Sequence, residues 1–404
     1  MPKIKLYIGE ILGMSKNSIN TKEYKFGLTG SRKKIGINYW RFFFNGVEAI
    51  SGAEQTFFIE LEMVNPWLSP AEVQLGFKPR IKLTAEDLQY ALAGTQAAQN
   101  LDTEQIIQPS YCAVRVGMLG SVAKQICHYF PVKDIVFNSK PFELQIGNKI
   151  FSENKLSGFL SVSQEEKTAH PELLSDSGYA NWDLSYTITS QSVNGFESKN
   201  MRWFPEGLYT AFTGKLSFDG TDYIVEARRS NGYVDRFWGV NTPEPWFHIS
   251  TSSLSSVITG KTLFNSSFSI QGIFDQRVAF IGKFEDIDIS FCANSSKRSY
   301  SAIWDCTQMP EAENPDENTL HWSVSLNNKN WVIDIDVYCR IKDLYNRKLE
   351  LPEGSRKVLN LLEGGTGIGE IKLYKHIGNT LEQIEHAKLT KVICEFGHNE
   401  DGEI

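Results

Sequence analysis

The stretch WVIDIDVYC, residues 331–339, alternates apolar and acidic side chains from Ile333 to Val337. Its odd-numbered positions are apolar, and Asp334 and Asp336 stand between them. Such period-two alternation is typical of a strand that covers a core with one face and meets water with the other. The same pattern recurs in EDIDISF, residues 285–291. We therefore expect antiparallel β-sheets in this half of the chain.

Turn signals separate the alternating segments. SFDGTD, residues 217–222, contains an Asp-Gly pair, and SLNNKN, residues 325–330, is rich in Asn; both compositions favour hairpin turns. Helical patterns are scarce, the two candidates being residues 84–99 and EGSRKVLNLLEGG, residues 353–365. The sequence thus predicts an all-β protein, mainly antiparallel, built as barrels or sandwiches.

The length of 404 residues allows two or three domains, at roughly 150 residues each. Residues 68–129 interrupt the strand pattern, and we interpret them as a small, partly helical insertion. NMRWFPEGLY, residues 200–209, is interpreted as a link between two β units. We therefore predict an N-terminal β-barrel domain, residues 1–203, and a C-terminal β-barrel domain, residues 204–404.

Composition excludes several classes of protein. The net charge is −7 and the only dense basic run is SRKKIG, residues 31–36, so we expect no nucleic-acid partner. No apolar stretch reaches about 18 residues, so no transmembrane segment is expected, whereas peripheral membrane contact stays open. The start of the chain lacks the apolar run of a signal peptide, and we expect a cytoplasmic protein.

The spacing of Cys and His residues argues against a metal site. The six cysteines form no C-x-x-C motif, and the seven histidines are equally dispersed. We expect reduced, mostly buried thiols. LLEGGTGIGEIKLY, residues 361–374, imitates a phosphate-binding loop, but a strand pattern follows it where a helix would be needed. We therefore expect a tight turn there, and no cofactor.

An acid and a base stand side by side in GYVDRFWG, residues 232–239. Strand alternation would place Asp235 with Tyr233 on one face and Arg236 with Trp238 on the other. A buried charge without a partner is costly, so the inward one needs an ion pair or a shifted pKa. Two interpretations remain open: an internal ion pair that only stabilises the fold, or a charged group at the wall of an apolar ligand cavity.

Aromatic residues accompany polar groups in three further stretches. NTPEPWFHIS, residues 241–250, places Trp246 and His248 on one side of a strand. SAIWDCTQM, residues 301–309, joins Trp304 to Asp305. A single histidine in such a strand is more often a structural group than a catalytic one.

The third stretch is INYWRFFFNG, residues 37–46. It is either a strand buried on both faces or the wall of a pocket with Asn38, Trp40 and Arg41. Downstream, Glu60 and Glu62 share one strand face. This face could carry a carboxylate pair, but we expect it to be a solvated surface.

Residues 199–239, KNMRWFPEGLYTAFTGKLSFDGTDYIVEARRSNGYVDRFWG, resemble the tocopherol cyclase-like family. The family's Y-x-E-K-N-W-G box is matched by Tyr233–Gly239, and the tryptophan of its F-P-x-x-W segment by Trp246 in PEPWFHISTSS. GGTGIGEIKLYKHIG, residues 364–378, is similar to the family's C-terminal turn into a strand. Its E-G-W-Y segment is best matched by Asn38–Arg41.

The resemblance implies two lipocalin-like β-barrel domains with an apolar cavity, as in the related carotenoid hydratases and Diels–Alderases. Two positions depart from the family pattern. The glutamate of the first box is Asn38 here, and the Glu-Lys pair of the second box is Asp235-Arg236. The first change removes a proton donor, and the second keeps the charges but alters their reach.

Cyclases and hydratases of this kind protonate an alkene, and a hydroxyl or water captures the cation. The acid must be neutral at working pH, which apolar surroundings favour, and aromatic faces stabilise the cation by about 1–2 kcal/mol each. Asp235 is our candidate catalytic acid, and Arg236 would hold a polar group of the ligand. The candidate ligand-binding residues are Asn38, Trp40, Arg41, Tyr233, Arg236, Trp238, Trp246, His248, Trp304 and Asp305.

Three hypotheses follow for the function. The protein binds a prenylated ring or polyene and cyclises, hydrates or isomerises it without a cofactor. Alternatively, it is a non-catalytic, lipocalin-like carrier of a hydrophobic small molecule. A third hypothesis is a β-rich interaction module, which predicts a large exposed apolar patch and no cavity.

Overall fold

The computed structural model describes residues 36–76, 89, 108–139, 141–190, 201–239, 246–273, 277–293, 300–310, 317–354 and 358–400. Within these ranges the chain forms 23 strands in two antiparallel sheets, which confirms the predicted all-β class. The same ranges contain three 3-10 helices, Val132–Asp134, Pro171–Leu173 and Ile341–Asp343, which connect strands or loops. The short α-helix Gln164–Ala169 begins after Ser163, whose side chain accepts a hydrogen bond from the Glu166 amide. No helix in the described ranges is long and apolar enough to cross a membrane. The helix predicted over residues 84–99 falls outside them, apart from residue 89.

The first sheet, sheet A, has twelve strands. They are β1 Ile37–Glu48, β2 Glu54–Val64, β3 Tyr111–Leu119, β4 Lys124–Phe130, β5 Ile135–Ser139, β6 Phe142–Ile146, β7 Lys149–Ser152, β8 Lys155–Val162, β9 Gly178–Ile188, β10 Met201–Phe218, β11 Thr221–Val225 and β12 Gly232–Gly239. Strands β11 and β12 both lie between β1 and β10, and β4 comes to lie beside β8. Sheet A thereby forms a barrel.

The second sheet, sheet B, has eleven strands and forms a half-barrel with β17 and β18 at its ends. They are β13 Trp246–Thr251, β14 Leu254–Ser256, β15 Ser267–Ile273, β16 Arg277–Phe284, β17 Ile287–Ala293, β18 Ser301–Pro310, β19 Asn318–Asn327, β20 Trp331–Arg340, β21 Tyr345–Glu350, β22 Val358–Ile377 and β23 Thr380–Glu400. The alternating stretch at residues 331–339 lies in β20. Ile333, Ile335 and Val337 are buried there, and Asp334 and Asp336 are half-buried.

Two segments differ from their sequence interpretation. Residues 111–130, assigned to the insertion, form β3 and β4 beside β2; β3 is buried on both faces, so it lacks the alternation that marks a strand. Residues 201–209, interpreted as a link, begin β10 of sheet A. The chain passes from sheet A to sheet B between residues 239 and 246.

The helix predicted over residues 353–365 is wrong, because residues 358–377 form β22 between β21 and β23. Its leucine-rich run pairs on both sides and packs on both faces, which overrides its helix propensity. The tight turn expected near Gly365 is also absent. Strand β22 continues through it with shifts of register between Gly364 and Gly369, which are typical of β-bulges.

Strand β1 lies where the two sheets pack together and is buried on both faces, as the sequence predicted for one of its two interpretations. Trp40, Phe42 and Phe44 point into the barrel of sheet A. Tyr39 and Phe43 point the other way and belong to clusters that join the two sheets. This contact zone is called the inter-sheet layer below, and its strands come from both sheets: β1–β3, β10 and β12 on one side, and β13, β15, β16 and β21–β23 on the other.

Candidate functional site

Asp235 lies in the inter-sheet layer and is fully buried. Its carboxylate accepts hydrogen bonds from Arg41 Nε at 2.8 Å and Arg41 Nη2 at 2.6 Å, a bidentate arrangement. Trp203 Nε1 donates to the same carboxylate at 2.9 Å, and the Tyr233 hydroxyl donates at 3.1 Å. Four donors therefore surround one buried carboxylate, and the partner of Asp235 is Arg41 and not its sequence neighbour Arg236.

The contacts continue from Asp235 into a closed ring of side chains. The Tyr233 hydroxyl also accepts a hydrogen bond from Ser269 Oγ at 3.0 Å. Ser269 Oγ in turn lies 3.1 Å from His248 Nε2. His248 Nδ1 lies 3.3 Å from Glu395 Oε2, and the other Glu395 oxygen accepts a hydrogen bond from Arg41 Nη1 at 2.5 Å.

This set of six residues, Arg41, Asp235, Tyr233, Ser269, His248 and Glu395, is called the polar ring below. Every member is at most 2% exposed. Three are contributed by sheet A and three by sheet B, so the polar ring exists only where the two sheets pack together.

Strand pairing sets the positions of these side chains. Arg41 of β1 and Asp235 of β12 are direct cross-strand partners. His248 of β13 is likewise paired with Glu395 of β23. Tyr233 and Asp235 are two residues apart on β12 and therefore share a face. Facing residues within each sheet thus form two pairs, and packing of the sheets brings the pairs together.

Burial and opposite charge act against each other at Glu395. Burial would raise the pKa of its carboxyl, but Arg41 and His248 outweigh burial and hold that pKa well below its usual range. The Arg41 guanidinium responds in the same sense: Asp235 and Glu395 outweigh its burial and raise its pKa well above the usual value. Burial raises the pKa of the Tyr233 phenol, with the charge of Asp235 adding to the effect.

A second group of buried charges lies beside the polar ring. Arg347 Nη1 donates to Glu363 Oε2 at 2.5 Å and to Glu60 Oε1 at 3.0 Å. Arg115 in turn pairs with Glu62 at 2.5 Å and lies 3.8 Å from Glu60. These five residues are called the charge chain below.

Glu60 and Glu62 do share a strand face, but the solvated surface expected for them is wrong. Both are at most 4% exposed, because that face of β2 is covered by sheet B. Glu60 pairs there with Arg347 of β21. Burial raises the pKa of Glu62, and Arg115 opposes this rise.

Arg236 points away from the polar ring. Its guanidinium carbon lies 4.8 Å from the ring centre of Trp40 and 4.6 Å from that of Trp238, which are cation–π distances. Arg236 Nε donates to Asn38 Oδ1 at 3.3 Å. Four predicted ligand-binding residues, Asn38, Trp40, Arg236 and Trp238, are thus brought together on the barrel side of β1 and β12, apart from Asp235.

The remaining predicted residues lie at different distances from the polar ring. Trp246 shares the inter-sheet layer with it, in a cluster with Tyr39, Trp203 and Phe237. Trp304 is half-buried on β18, where its ring centre lies 4.6 Å from that of Phe247 with the planes tilted by 48°, and its Nε1 donates to the Ile273 carbonyl. Asp305 is exposed and accepts a hydrogen bond from the Cys306 amide. Neither residue of the Trp304–Asp305 pair contacts the polar ring through any described bond.

Several residues of the site were not predicted from the sequence: Trp203, Ser269, Glu395, Glu363 and Arg347. Glu395 had a usable signal, since it is a single acid in the apolar run VICEF, residues 392–396. The same reasoning that selected Asp235 applies to it. Ser269 carries no such signal, because serine is common in strands with one wet face.

Other features of the described residues do not contribute to this site. A groove of about 410 Å³ lies on the outer face of β9–β11 and shares no residue with the polar ring. No cluster of three or more His, Cys, Asp or Glu side chains within the described ranges has the arrangement of a metal site. Among the cysteines whose side chains are described, Cys112, Cys127, Cys306, Cys339 and Cys394 are free thiols, and all of these but Cys306 are buried, in agreement with the sequence prediction.

No family model and no curated protein sequence matches the chain. Among solved structures, an ATTH protein from Nitrosomonas europaea aligns with 93% of this chain and 97% of its own, at 10% identity and a TM-score of 0.39. Kievitone hydratase from Nectria haematococca aligns with 89% of this chain and 88% of its own, at 12% identity and a TM-score of 0.37. Both scores are below 0.5, so neither structure bears on the activity of this chain.

Proposed function

We propose that the protein is an acid–base catalyst that converts a large apolar small molecule at the inter-sheet layer. The reaction is a cyclisation, hydration or isomerisation, the type implied by the resemblance to the tocopherol cyclase-like family. A prenylated ring or a polyene is the substrate class. Each of these reactions can begin with protonation of an alkene, and none involves a net oxidation or reduction, so no redox cofactor is needed.

The polar ring is the observation that supports this proposal. It joins an aspartate, a tyrosine, a serine, a histidine and a glutamate through consecutive polar contacts of 3.0–3.3 Å. A group that only stabilised the packing of two sheets would be served by simple ion pairs. A hydroxyl and an imidazole between two carboxylates form a path along which a proton can move.

The donors in this path point in one direction. Ser269 donates to Tyr233, and Tyr233 donates to Asp235. When His248 is protonated, it donates from both nitrogens, towards Glu395 and towards Ser269. Three concerted transfers, from His248 to Ser269, from Ser269 to Tyr233 and from Tyr233 to Asp235, leave His248 neutral and place the proton on Asp235. Asp235 is thus protonated again after each turnover without contact with solvent.

Arg41 holds both oxygens of the Asp235 carboxylate as long as the bidentate pair is intact. Substrate binding therefore has to weaken the contact between Arg41 and Asp235 before Asp235 can act as an acid. Arg41 also contacts Glu395, so its charge remains compensated when the contact with Asp235 weakens. Arg41 therefore controls when Asp235 can donate a proton.

The apolar part of the layer adjoins the polar ring. Tyr39 stacks on Phe237 with ring centres 5.0 Å apart, and Trp203 lies edge-on to His248 at 6.0 Å. Aromatic faces at these positions would stabilise a carbocation formed beside Asp235. Trp246 Nε1 is buried without a hydrogen-bond partner in the same layer and would serve a polar group of the ligand.

The experiment begins with a titration of tryptophan fluorescence with prenylated quinols, polyenes and fatty acids. A ligand that quenches saturably is then incubated with the protein, and the products are separated by chromatography. Asp235→Asn should lower turnover by about 10²–10⁴-fold, the usual contribution of a general acid. Asp343→Asn is the matched control, because Asp343 is also buried and arginine-paired, to Arg340, but lies outside the polar ring.

Turnover that survives in Asp235→Asn would remove this residue from the mechanism. Saturable binding without any product, equal in the wild type and in Asp235→Asn, would favour the carrier. A flat fluorescence response to all three ligand classes would favour the interaction module.

A further inference from the structure

We propose that Glu363 holds a proton at neutral pH, forms an acid–carboxylate pair with Glu395, and supplies the proton that the polar ring transfers. The supply step rests on the proposed function, whereas the protonation state of Glu363 can be tested without it. Glu363 acts through Glu395 and is therefore a positioning residue.

The geometry places the two carboxyl groups on facing positions. Glu363 of β22 and Glu395 of β23 are direct cross-strand partners, and both are fully buried. Like charges directly opposite each other destabilise a sheet even at its surface. Inside a protein, two such carboxylates are accommodated when one of them is protonated.

Each of the two carboxyl groups also has one oxygen that no arginine contacts. Glu363 Oε1 is buried and has no hydrogen-bond partner, whereas Glu395 Oε2 is buried and lies 3.3 Å from His248 Nδ1. The second oxygen of each is occupied by an arginine, Arg347 for Glu363 and Arg41 for Glu395. A proton on Glu363 would give its free oxygen a donor, which an ionised carboxylate lacks.

The charges of the polar ring and the charge chain lead to the same conclusion. Together the two groups contain five carboxylates but three guanidinium groups, all at most 4% exposed. If every carboxylate were ionised, the sum would be −2. A proton on Glu363 brings the sum closer to zero, which is the state that a buried layer favours.

The groups that face Glu363 come from four strands. Arg347 of β21 and Arg41 of β1 favour its ionised form, whereas Glu395 of β23 and Glu60 of β2 oppose it. Burial has a larger effect than any of these charges and raises the pKa of Glu363 to about 8. The pKa of Glu395 moves in the opposite direction, so the proton of the pair resides on Glu363.

The supply step conserves the proton. The O–H bond of Glu363 breaks as an O–H bond forms on Glu395, and Glu363 remains as a carboxylate beside Arg347. Glu395 then passes the proton to His248, which restores the imidazolium that reprotonates Asp235. Glu363 regains its proton from water at the end of the cycle.

The test is infrared spectroscopy of the full chain, labelled with ¹³C at the glutamate carboxyl carbons and titrated between pH 5 and 9. The C=O stretch of a protonated glutamic acid should be present at neutral pH and disappear with a midpoint near pH 8. This band should be absent in Glu363→Gln. Glu62→Gln is the matched control: Glu62 is also buried with a raised pKa, yet its loss should leave the band with a midpoint near 8 in place.

Two neighbouring substitutions should move the midpoint in opposite directions. Arg347→Gln removes a cation that favours ionisation and should raise it, and Glu395→Gln removes a facing anion and should lower it. Absence of the band in the wild-type protein would overturn the proposal without any variant. A band that persists in Glu363→Gln would do so as well.

Turnover separates this inference from the proposed function. For a substrate found as above, kcat of the wild type should decrease above about pH 8, and Glu363→Gln should lower kcat at neutral pH and lose that decrease. Loss of turnover in Asp235→Asn with an unchanged pH profile in Glu363→Gln would overturn the supply step and leave the proposed function standing. A titrating band in a protein without turnover would overturn the proposed function and leave Glu363 protonated.

Discussion

The Arg41 guanidinium holds both oxygens of the Asp235 carboxylate, although 194 positions separate the two residues in the chain. The contact is made within sheet A, where β1 and β12 pair with Arg41 opposite Asp235. Arg41 then reaches across to Glu395 of sheet B. One side chain therefore completes an ion pair within a sheet and links it to the other sheet.

Arg41→Met should destabilise the protein by about 3–5 kcal/mol, because Asp235 and Glu395 would remain buried without their shared cation. The unfolding midpoint in urea measures this change. Lys155→Met is the control, since Lys155 pairs with Asp183 at the surface with both side chains largely exposed, and its loss should matter little. Equal losses of stability in the two variants would show that burial does not increase the cost of removing the Arg41 guanidinium.

The stability of the protein should decrease as the pH rises from about 4.5 towards 8. Burial raises the pKa of Glu363 to about 8 from an ordinary 4.5, so in this window the folded protein binds one proton more than the unfolded chain. The stabilisation by Glu363 is complete below the lower value and is lost as the pH passes through the upper one, with a slope of at most about 1.4 kcal/mol per pH unit. Urea unfolding at pH 5, 6.5 and 8 measures the slope, which should flatten in Glu363→Gln.

Glu395 should have the opposite effect at acid pH. Its pKa is held below the usual range, so its stabilisation is present above about 4.5 and decreases as the pH falls towards the folded value. Stability at pH 4.5 should therefore exceed that at pH 3 by more in the wild type than in Glu395→Gln. An identical difference in both proteins would contradict the assignment of the ionised state to Glu395.

Gly397→Ala should destabilise the protein by about 1–3 kcal/mol through overpacking. Gly397 of β23 faces Trp246 of β13, and a Cβ atom there would lie within 2.6 Å of three atoms of the indole. The cost should shrink when the same change is made in a Trp246→Ala background, as a double-mutant cycle would measure. Additive effects would mean that the indole is not the reason for glycine at this position.

Tyr233→Phe should have a stronger effect on turnover than on the free energy of unfolding. The substitution removes the hydroxyl between Ser269 and Asp235 and interrupts the polar ring, which should reduce kcat by about 10²-fold or more. Tyr186→Phe is the matched control: Tyr186 is also buried, and its hydroxyl donates to the Ser152 carbonyl inside the barrel. Comparable kcat values in the two variants would exclude the polar ring as a proton path.

Local pattern was sufficient to predict part of the site. Alternation along residues 232–239 separates Asp235 from Arg236, and the structure places them on opposite faces of β12. Alternation also places Trp246 and His248 on one side of β13. These predictions succeed because the direction of a side chain in a strand depends only on its position along that strand.

The alternation of apolar and polar residues led to wrong predictions where two buried faces meet. Glu60 and Glu62 look solvated because alternating acids usually mark a wet face, and the sequence contains no sign that sheet B covers it. The run at residues 358–365 resembles a helix because a strand buried on both faces has no alternation to show. In both cases the missing information concerns a neighbour far away in the chain.

The sequence by itself determined the all-β class, the direction of most side chains along their strands, and the presence of acids in apolar surroundings. Only the tertiary structure decided which charges meet. Arg41, Asp235, His248 and Glu395 come from β1, β12, β13 and β23, of which only β12 and β13 are consecutive in the chain. Their contacts depend on strand register and on how the two sheets pack. The pKa of each carboxyl depends on those contacts and on burial, which no local stretch encodes.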